Sequence, residues 1–198
     1  QSHLLLMMNI SCKIVNNGIM LISLWALILI MNVGIAEAYT LSSCGTISTS
    51  GTYALTSDLT SSASCITISS SNVVLDGKDP TTGIKHTITA GGDAIYINVP
   101  SAANNNILIK NIISSSGVSN YYPNPGNGVT IEESDLGTVT MWRSDDFTIR
   151  NSKLRGLAIR SNDFCPGSDP PLRARIINNT IIGSSEVLRV DQGGDISF

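Results

Sequence analysis

The feature that most constrains the fold of this chain is a short phrase of branched apolar residues, framed by turn residues, that occurs four times. The copies are NVVLDG at residues 72–77, NILIKN at 106–111, DFTIRN at 146–151 and ARIINN at 174–179. Their last residues are spaced by 34, 40 and 28 positions, at Gly77, Asn111, Asn151 and Asn179. Alternating Ile, Val and Thr, interrupted by Asn and Gly, predict short strands rather than helices.

Two further apolar phrases accompany each copy. The shorter ones lie at residues 86–88, 111–113, 152–154 and 180–182, and the others at 94–97, 128–131, 156–159 and 185–188. The repeating unit is therefore three short strands joined by loops of variable length. Such units of roughly 20–50 residues are typical of solenoids. The pattern predicts an all-β parallel β-helix whose coils stack about 4.8 Å apart, and a β-sandwich with Asn-rich turns is the alternative.

Asparagine at the strand ends has a physical reason in such a stack. Its side-chain amide both donates and accepts, so equivalent amides of successive coils can form a ladder. It also tolerates the left-handed backbone of a sharp corner. We therefore expect Gly77, Asn111, Asn151 and Asn179 to form one corner, with the isoleucines pointing inward. Asn178 should point outward, where the sequon Asn178-Asn179-Thr180 predicts N-glycosylation.

The N-terminal region contains an apolar run at residues 18–34, preceded by Lys13 and followed by AEA at 36–38. This arrangement predicts a secretory signal peptide cleaved before Tyr39, or alternatively a retained membrane anchor. Residues 1–38 then form one region and residues 39–198 the β-helix domain. In both cases the domain is secreted or displayed on the cell surface, with membrane contact only through an uncleaved N-terminal segment.

The cysteines are interpreted in that oxidising setting. A Cys44–Cys65 disulfide would close a loop of about 20 residues and join two neighbouring coils. Residues 39–64 are then the N-terminal coil and cap. Cys165 is left over, as a free thiol or as half of a pair whose partner lies in a missing C-terminal part. The sequence ends without a polar cap, which favours truncation.

At this point the sequence resembles a known group of proteins. CITISSSNVVLDG at 65–77, the HTI after it, GGDAIYI at 91–97 and NILIKNI at 106–112 are similar to repeats of right-handed parallel β-helix proteins. These belong to the pectate-lyase-like superfamily, in its secreted and cell-surface branch. The resemblance covers residues 44–188 and implies the fold, not an activity. The Gly-His-Gly and Arg-Ile-Lys motifs of its polygalacturonase-like members do not occur in this sequence.

Long loops are the first candidates for binding, because solenoid insertions often carry function. The insertions at residues 78–85 and 114–127 are expected to follow the same strand of successive coils and to project side by side. Tyr121 and Tyr122, together with Trp142, could stack against a sugar, or they could simply cover the flank of the β-helix. A third loop, at 161–173, carries Asp163, Cys165 and Asp169.

Acidic residues on both sides of one strand are the candidates for catalysis. Glu132, Glu133 and Asp135 precede the segment MWRSDD, which contains Arg143, Asp145 and Asp146. Two such carboxylates could act as the acid pair of a glycosidase, with Asp145, Asp146 and Arg143 as the catalytic candidates. A lyase-like activity would instead imply Ca²⁺ held by oxygen ligands. A solvated turn is the alternative, and no other metal site is predicted.

His86 lacks a partner carboxylate nearby in sequence, which favours a structural role. A net charge of −3 without a basic stripe gives no reason to expect nucleic acid as a partner. The sequence predicts a secreted or cell-surface module with a structural, adhesive or carbohydrate-binding role. Its partner would be an extracellular glycan or a cell-surface component, and no cofactor is implied. A polysaccharide lyase or glycoside hydrolase is the second hypothesis, and a polymerising surface subunit is the third.

Overall fold

The protein is built from short strands, as seen in a computed structural model of the 198-residue chain. The structure describes residues 38–100, 105–120, 127–142, 144, 146–160, 173–183, 188–191 and 196–197. The strands are β1 Tyr39–Leu41, β2 Gly45–Ile47, β3 Gly51–Leu55, β4 Leu59–Ser61, β5 Ile66–Ile68, β6 Val73–Asp76, β7 Thr87–Ala90, β8 Ile95–Ile97, β9 Ile107–Lys110, β10 Ile113–Ser114, β11 Val118–Asn120, β12 Val129–Glu132, β13 Asp135–Trp142, β14 Phe147–Arg150, β15 Lys153–Arg160, β16 Ala174–Ile177, β17 Thr180–Ile181, β18 Leu188–Asp191 and β19 Ile196–Ser197. Within these residues no helix is long and apolar enough to cross a membrane.

The strands form three faces of a parallel β-helix, and every pairing between them is parallel. The first face is the eight-stranded sheet β1-β3-β6-β9-β12-β14-β16-β19. The second face contains β4, β7, β10, the first halves of β13 and β15, and β17. The third face contains β2, β5, β8, β11, the second halves of β13 and β15, and β18. A coil generally contains three strands. The exceptions are the coils of β13 and β15, in which one eight-residue strand runs through both the second and the third face.

Alternation along each strand fills the interior of the coils. On the first face, Val73, Ile107, Val129 and Phe147 occupy one register position and are all buried. The intervening residues face outward, because successive side chains of a strand point to opposite sides of the sheet. The predicted inward isoleucines and the all-β solenoid are therefore confirmed.

Three strands of the first face, β9, β12 and β14, lie between left-handed residues at both ends, and β6 and β16 each have one at a single end. Asn72, Asn106 and Asp146 have φ of 56°, 47° and 54° just before their strands. Asn111, Glu133, Asn151 and Asn178 have φ of 58°, 51°, 51° and 51° just after them. A left-handed residue, four strand residues and a second left-handed residue thus turn the chain sharply at both corners. The second of these corners was predicted from the sequence, and the first was not.

The interpretation of residues 128–131 as a phrase that accompanies the copy at 106–111 was wrong. These residues contain most of β12, which pairs with β9 and β14 on the first face. Ile107 and Val129 are 22 residues apart, and Val129 and Phe147 are 18 apart, so the apparent spacing of 40 conceals an additional coil. The corner residue of this additional coil is Glu133. The repeat copies were recognised by a Gly or Asn at that position, so this coil was overlooked.

The corner predicted to carry an asparagine ladder is held by a mixed set of hydrogen bonds. Asn178 Nδ2 donates to Asn151 Oδ1 at 2.9 Å, and Asn111 Nδ2 donates to Asp76 Oδ1 at 2.9 Å. Asn178 therefore holds the ladder position that the sequence analysis gave to Asn179. Gly77 lies at the same corner, where an added Cβ would be 2.3 Å from the backbone oxygen of Asn111. Close approach of two coils, rather than a left-handed φ, accounts for this glycine.

One residue further along, a buried ladder connects four coils. The amide of Ile112 donates to Ser134 Oγ at 3.1 Å, and the amide of Ser134 donates to Ser152 Oγ at 3.2 Å. The amide of Ser152 donates to Asn179 Oδ1 at 2.9 Å. Each side chain satisfies a backbone donor of the preceding coil that would otherwise be buried without a partner. Asn179 thus serves in an inner ladder, one position away from its predicted place.

The first two coils are linked covalently, because Cys44 and Cys65 form the predicted disulfide with a Cα–Cα distance of 4.7 Å. The amide of Gly45 also donates to the carbonyl of Cys65 at 2.9 Å. Residues 39–64, predicted as the N-terminal coil and cap, contain β1 to β4. Cys165 lies outside the described residues.

Candidate functional site

The insertion at residues 78–85 is a compact hairpin at the corner between the first and second faces. Lys78 and Lys85 form an antiparallel bridge, and Asp79 exchanges backbone hydrogen bonds with Ile84 and Gly83. Asp79 Oδ1 accepts the amides of Thr81 and Thr82, each at 2.7 Å. These two backbone donors hold the pKa of Asp79 below its usual value of 3.8. These internal hydrogen bonds hold the backbone of the hairpin in one conformation as it projects from the β-helix.

A shallow groove of about 560 Å³ runs along this corner, and we call it the corner groove. It is lined by Lys85, Ile113, residues 133–135, residues 151–153, Asn178 and Thr180. These residues come from five successive coils. At about 4.8 Å per coil, the first and last of them are roughly 19 Å apart. The groove therefore crosses the strands and follows the axis of the β-helix.

Three of the four charged groups of the corner groove, Lys85, Asp135 and Lys153, are fixed by contacts within the protein. Lys85 Nζ reaches across two coils and donates to the backbone oxygen of Glu133 at 3.1 Å. Asp135 lies 3.4 Å from both Lys153 Nζ and Arg155 Nη1. Arg155 Nη1 also donates to the carbonyls of Ser114 and Leu136 at 3.2 and 3.1 Å. Two ammonium groups and two carboxylates line the groove, so its formal charge is balanced.

An apolar spot lies within this polar lining. Ile113 is 37% exposed, and its register neighbours are Thr87 and Asp135. Donors and acceptors from Asn151, Asn178 and Thr180 lie in the same groove. A small apolar contact surrounded by amides and hydroxyls matches the two kinds of surface that a sugar ring presents. The groove thus combines an apolar contact with hydrogen-bonding groups, without a deep pocket.

The described acidic residues that flank β13 lie on separate surfaces. Glu132 points outward from the first face and pairs with Arg150, whose Nε lies 2.7 Å from Glu132 Oε2. Glu133 and Asp135 lie in the corner groove. Asp146 follows the opposite end of β13, where Arg173 Nη2 contacts it at 3.0 Å. β13 therefore separates Glu133 and Asp135 from Asp146, and a catalytic role of Asp146 stays a prediction.

Trp142 lies at the corner where the third face returns to the first. Its amide donates to Asn120 Oδ1 at 2.7 Å, and its carbonyl accepts from Asn120 Nδ2 at 2.8 Å. The guanidinium of Arg160 lies 4.9 Å from the centre of a Trp142 ring. One face of this indole is therefore engaged in a cation–π contact. A role of Trp142 in ligand binding stays a prediction.

Several other predicted site residues lie outside the described residues. These are Tyr121, Tyr122, Arg143, Asp145 and residues 161–172. The insertions at 78–85 and 114–127 were expected to project side by side, and this was wrong. The first follows β6 on the first face, whereas the described part of the second contains β11 on the third face. Asn178, the predicted glycosylation acceptor, is exposed.

His86 has a partner that sequence proximity did not reveal. Its Nδ1 lies 3.4 Å from Asp58 Oδ1, which belongs to the preceding coil. Asp58 Oδ1 also accepts the amide of Thr87 at 2.8 Å. This amide, with a smaller contribution from His86, lowers the pKa of Asp58 below 3.8. The pair connects two coils and supports the structural role predicted for His86.

Four groove residues occupy one register position on the second face, namely Ile113, Asp135, Lys153 and Thr180. Asp135 was among the acidic candidates, whereas the other three were missed. They are the last, the middle and the first residue of their short apolar phrases, so an alignment of the phrases does not bring them together. Among the described residues, no cluster of three or more His, Cys, Asp or Glu is arranged to hold a metal ion. Comparison with protein-family models, curated proteins and solved structures finds no match.

Proposed function

We propose that this chain is a secreted or cell-surface β-helix module, of the pectate-lyase-like type, that binds carbohydrate along the corner groove. The observation that carries the proposal is the lining of the groove. Amides, hydroxyls and balanced charges surround the exposed Ile113, over five coils of a rigid stack. An extended glycan can follow the groove for roughly 19 Å and contact a new set of side chains at each coil.

Rigidity supports this role, because preorganised contacts reduce the ordering cost of binding. The groove floor rests on the buried Ser134 and Ser152, which are fixed by hydrogen bonds between coils. Its wall includes Lys85, which is fixed to the backbone of Glu133. The weak contacts that a polymer makes with successive coils can then sum to a measurable binding affinity.

The proposed location rests on two features. The Cys44–Cys65 disulfide suits an oxidising compartment. The apolar run at residues 18–34, with its basic flank and small residues after it, suits secretion or anchoring. Both features favour a domain located outside the cell, where extracellular glycans are available as ligands.

The test is a glycan array with the full chain, followed by titration of each ligand that binds. Ile113→Glu adds a hydrated charge inside the groove, whereas Thr89→Glu adds the same charge to the same face outside its lining. We expect Ile113→Glu to weaken binding at least 10-fold and Thr89→Glu to change it less than 2-fold. Equal effects of the two substitutions, or no binding by the unaltered chain, would contradict the proposal.

Product analysis distinguishes this role from an enzyme. Each bound oligosaccharide is incubated with the chain, with and without Ca²⁺, and the products are separated by chromatography. The proposal expects intact ligand in both cases. Cleavage would instead support the lyase or hydrolase hypothesis.

A further inference from the structure

Glu133 occupies a corner position at which the neighbouring coils have glycine or asparagine. The equivalent corner positions are occupied by Gly77, Asn111, Asn151 and Asn178. Glu133 adopts φ of 51°, a left-handed conformation that glycine and asparagine enter more easily than glutamate does. A residue that breaks a local rule without a compensating contact points to a function at that position.

The side chain of Glu133 receives no such compensating contact. It is exposed, it lines the corner groove, and it makes no hydrogen bond or ion pair with any residue that the structure describes. The carboxylates on either side differ, since Glu132 is paired with Arg150 and Asp135 with Lys153. Glu133 is thus the one carboxylate of the groove that has all its acceptor sites available to a ligand.

We infer that Glu133 determines the specificity of the corner groove and selects a neutral glycan by accepting hydrogen bonds from two of its hydroxyl groups. This inference rests on the function proposed above. A carboxylate has two oxygens that can receive two neighbouring hydroxyl donors, and hydrogen bonds to a charged group are stronger than neutral ones.

The surroundings of Glu133 disfavour charged sugars. A uronic acid would bring its carboxylate towards Glu133 and be repelled. A cationic amino sugar would be attracted by the carboxylate of Glu133 but repelled by the ammonium of Lys85, which is fixed 3.1 Å from the backbone oxygen of Glu133, so its charge brings no net gain. A neutral sugar avoids both costs. The groove as a whole carries no excess of either charge, so nothing else in its lining favours an ionic ligand.

The test compares three variants of the full chain with three probes. Glu133→Gln keeps the shape and removes the charge, and Glu133→Asn installs the residue of the neighbouring corners. Glu132→Gln is the matched control, because it removes an adjacent carboxylate that does not line the groove. The probes are a neutral hexose oligosaccharide that binds the unaltered chain, an oligogalacturonate and a chitosan oligosaccharide.

We expect Glu133→Gln and Glu133→Asn to weaken binding of the neutral probe at least 10-fold, with less than a 2-fold change for Glu132→Gln. Glu133→Asn should also raise the melting temperature by roughly 2–4 °C, because it relieves the left-handed strain. That gain shows the variant to be folded, so lost binding would not reflect unfolding.

Unchanged binding by Glu133→Gln, or tighter binding of either charged probe, would overturn the inference while leaving the proposed function in place. No binding of any glycan by the unaltered chain would instead defeat the proposed function itself.

Discussion

Removal of one buried hydroxyl should weaken the stack of coils measurably. Ser152 is 4% exposed, and its Oγ accepts the amide of Ser134 at 3.2 Å and donates to the carbonyl of Arg150 at 2.9 Å. In Ser152→Ala the carbonyl of Arg150 keeps a partner, because it also accepts the amide of Glu133 at 3.3 Å. The amide of Ser134 is left without its acceptor.

The cost of this change follows from the burial of that amide. A buried donor that loses its acceptor costs about 1–3 kcal/mol. A value of about 2 kcal/mol corresponds to a fall in melting temperature of roughly 4–8 °C for a domain of this size. The control is Ser62→Ala, because Ser62 is exposed at a loop and its substitution should change stability by less than about 0.5 kcal/mol.

The assay is unfolding by urea and by heat, followed by circular dichroism. Solenoids can unfold coil by coil, so amide exchange at Ser134 should be measured as well, and we expect it to accelerate in Ser152→Ala. If Ser152→Ala melts at the same temperature as Ser62→Ala and amide exchange at Ser134 is unchanged, the buried hydrogen-bond ladder does not stabilise the stack of coils, and the reasoning is refuted.

Three further predictions concern stability. Replacing Cys44 and Cys65 by alanine should cost about 3 kcal/mol for a loop of this length, and reduction of the unaltered chain should lower its urea midpoint similarly; an unchanged midpoint would contradict a formed disulfide. Gly117→Ala places a Cβ 2.0 Å from a backbone oxygen of the next coil, whereas Gly45→Ala meets nothing within 4 Å. Gly117→Ala should therefore melt well below Gly45→Ala, and equal melting temperatures would argue against the close packing of coils. The lowered pKa of Asp58 means that its stabilising contribution is complete above pH 3.8 and is lost as the pH falls through the lowered value. The destabilisation caused by Asp58→Ala should accordingly be present at pH 7 and vanish at strongly acidic pH, and a difference independent of pH would refute this assignment.

The strands and the interior were predictable because their signals are local. Alternation places the isoleucines inward, and an asparagine after four strand residues marks a corner. The coil containing β12 was assigned wrongly because Glu133 replaces the expected asparagine. Asn179 was misplaced by one residue because either of two adjacent asparagines could occupy the ladder, and only the register with Asn151 decides between them.

The corner groove could not be predicted from local patterns. It combines five coils, and the lengths of the loops between them decide which residues become neighbours. Lys85 and Glu133 are 48 residues apart in sequence, yet they are joined by a hydrogen bond of 3.1 Å. Of the aromatic and acidic candidates, Trp142 ends β13 and Asp146 follows it, because this continuous strand carries the chain away from the corner groove.

Binding along the corner groove can be observed residue by residue in a ¹⁵N NMR titration of the full chain with the neutral oligosaccharide that binds it best. We expect progressive shifts of the amides of Ile113, Asp135, Lys153 and Thr180, which share one register position along the corner groove. Shifts confined to the region of Asn120 and Trp142, or no shifts at saturating ligand, would contradict the claim that this corner of the β-helix binds carbohydrate.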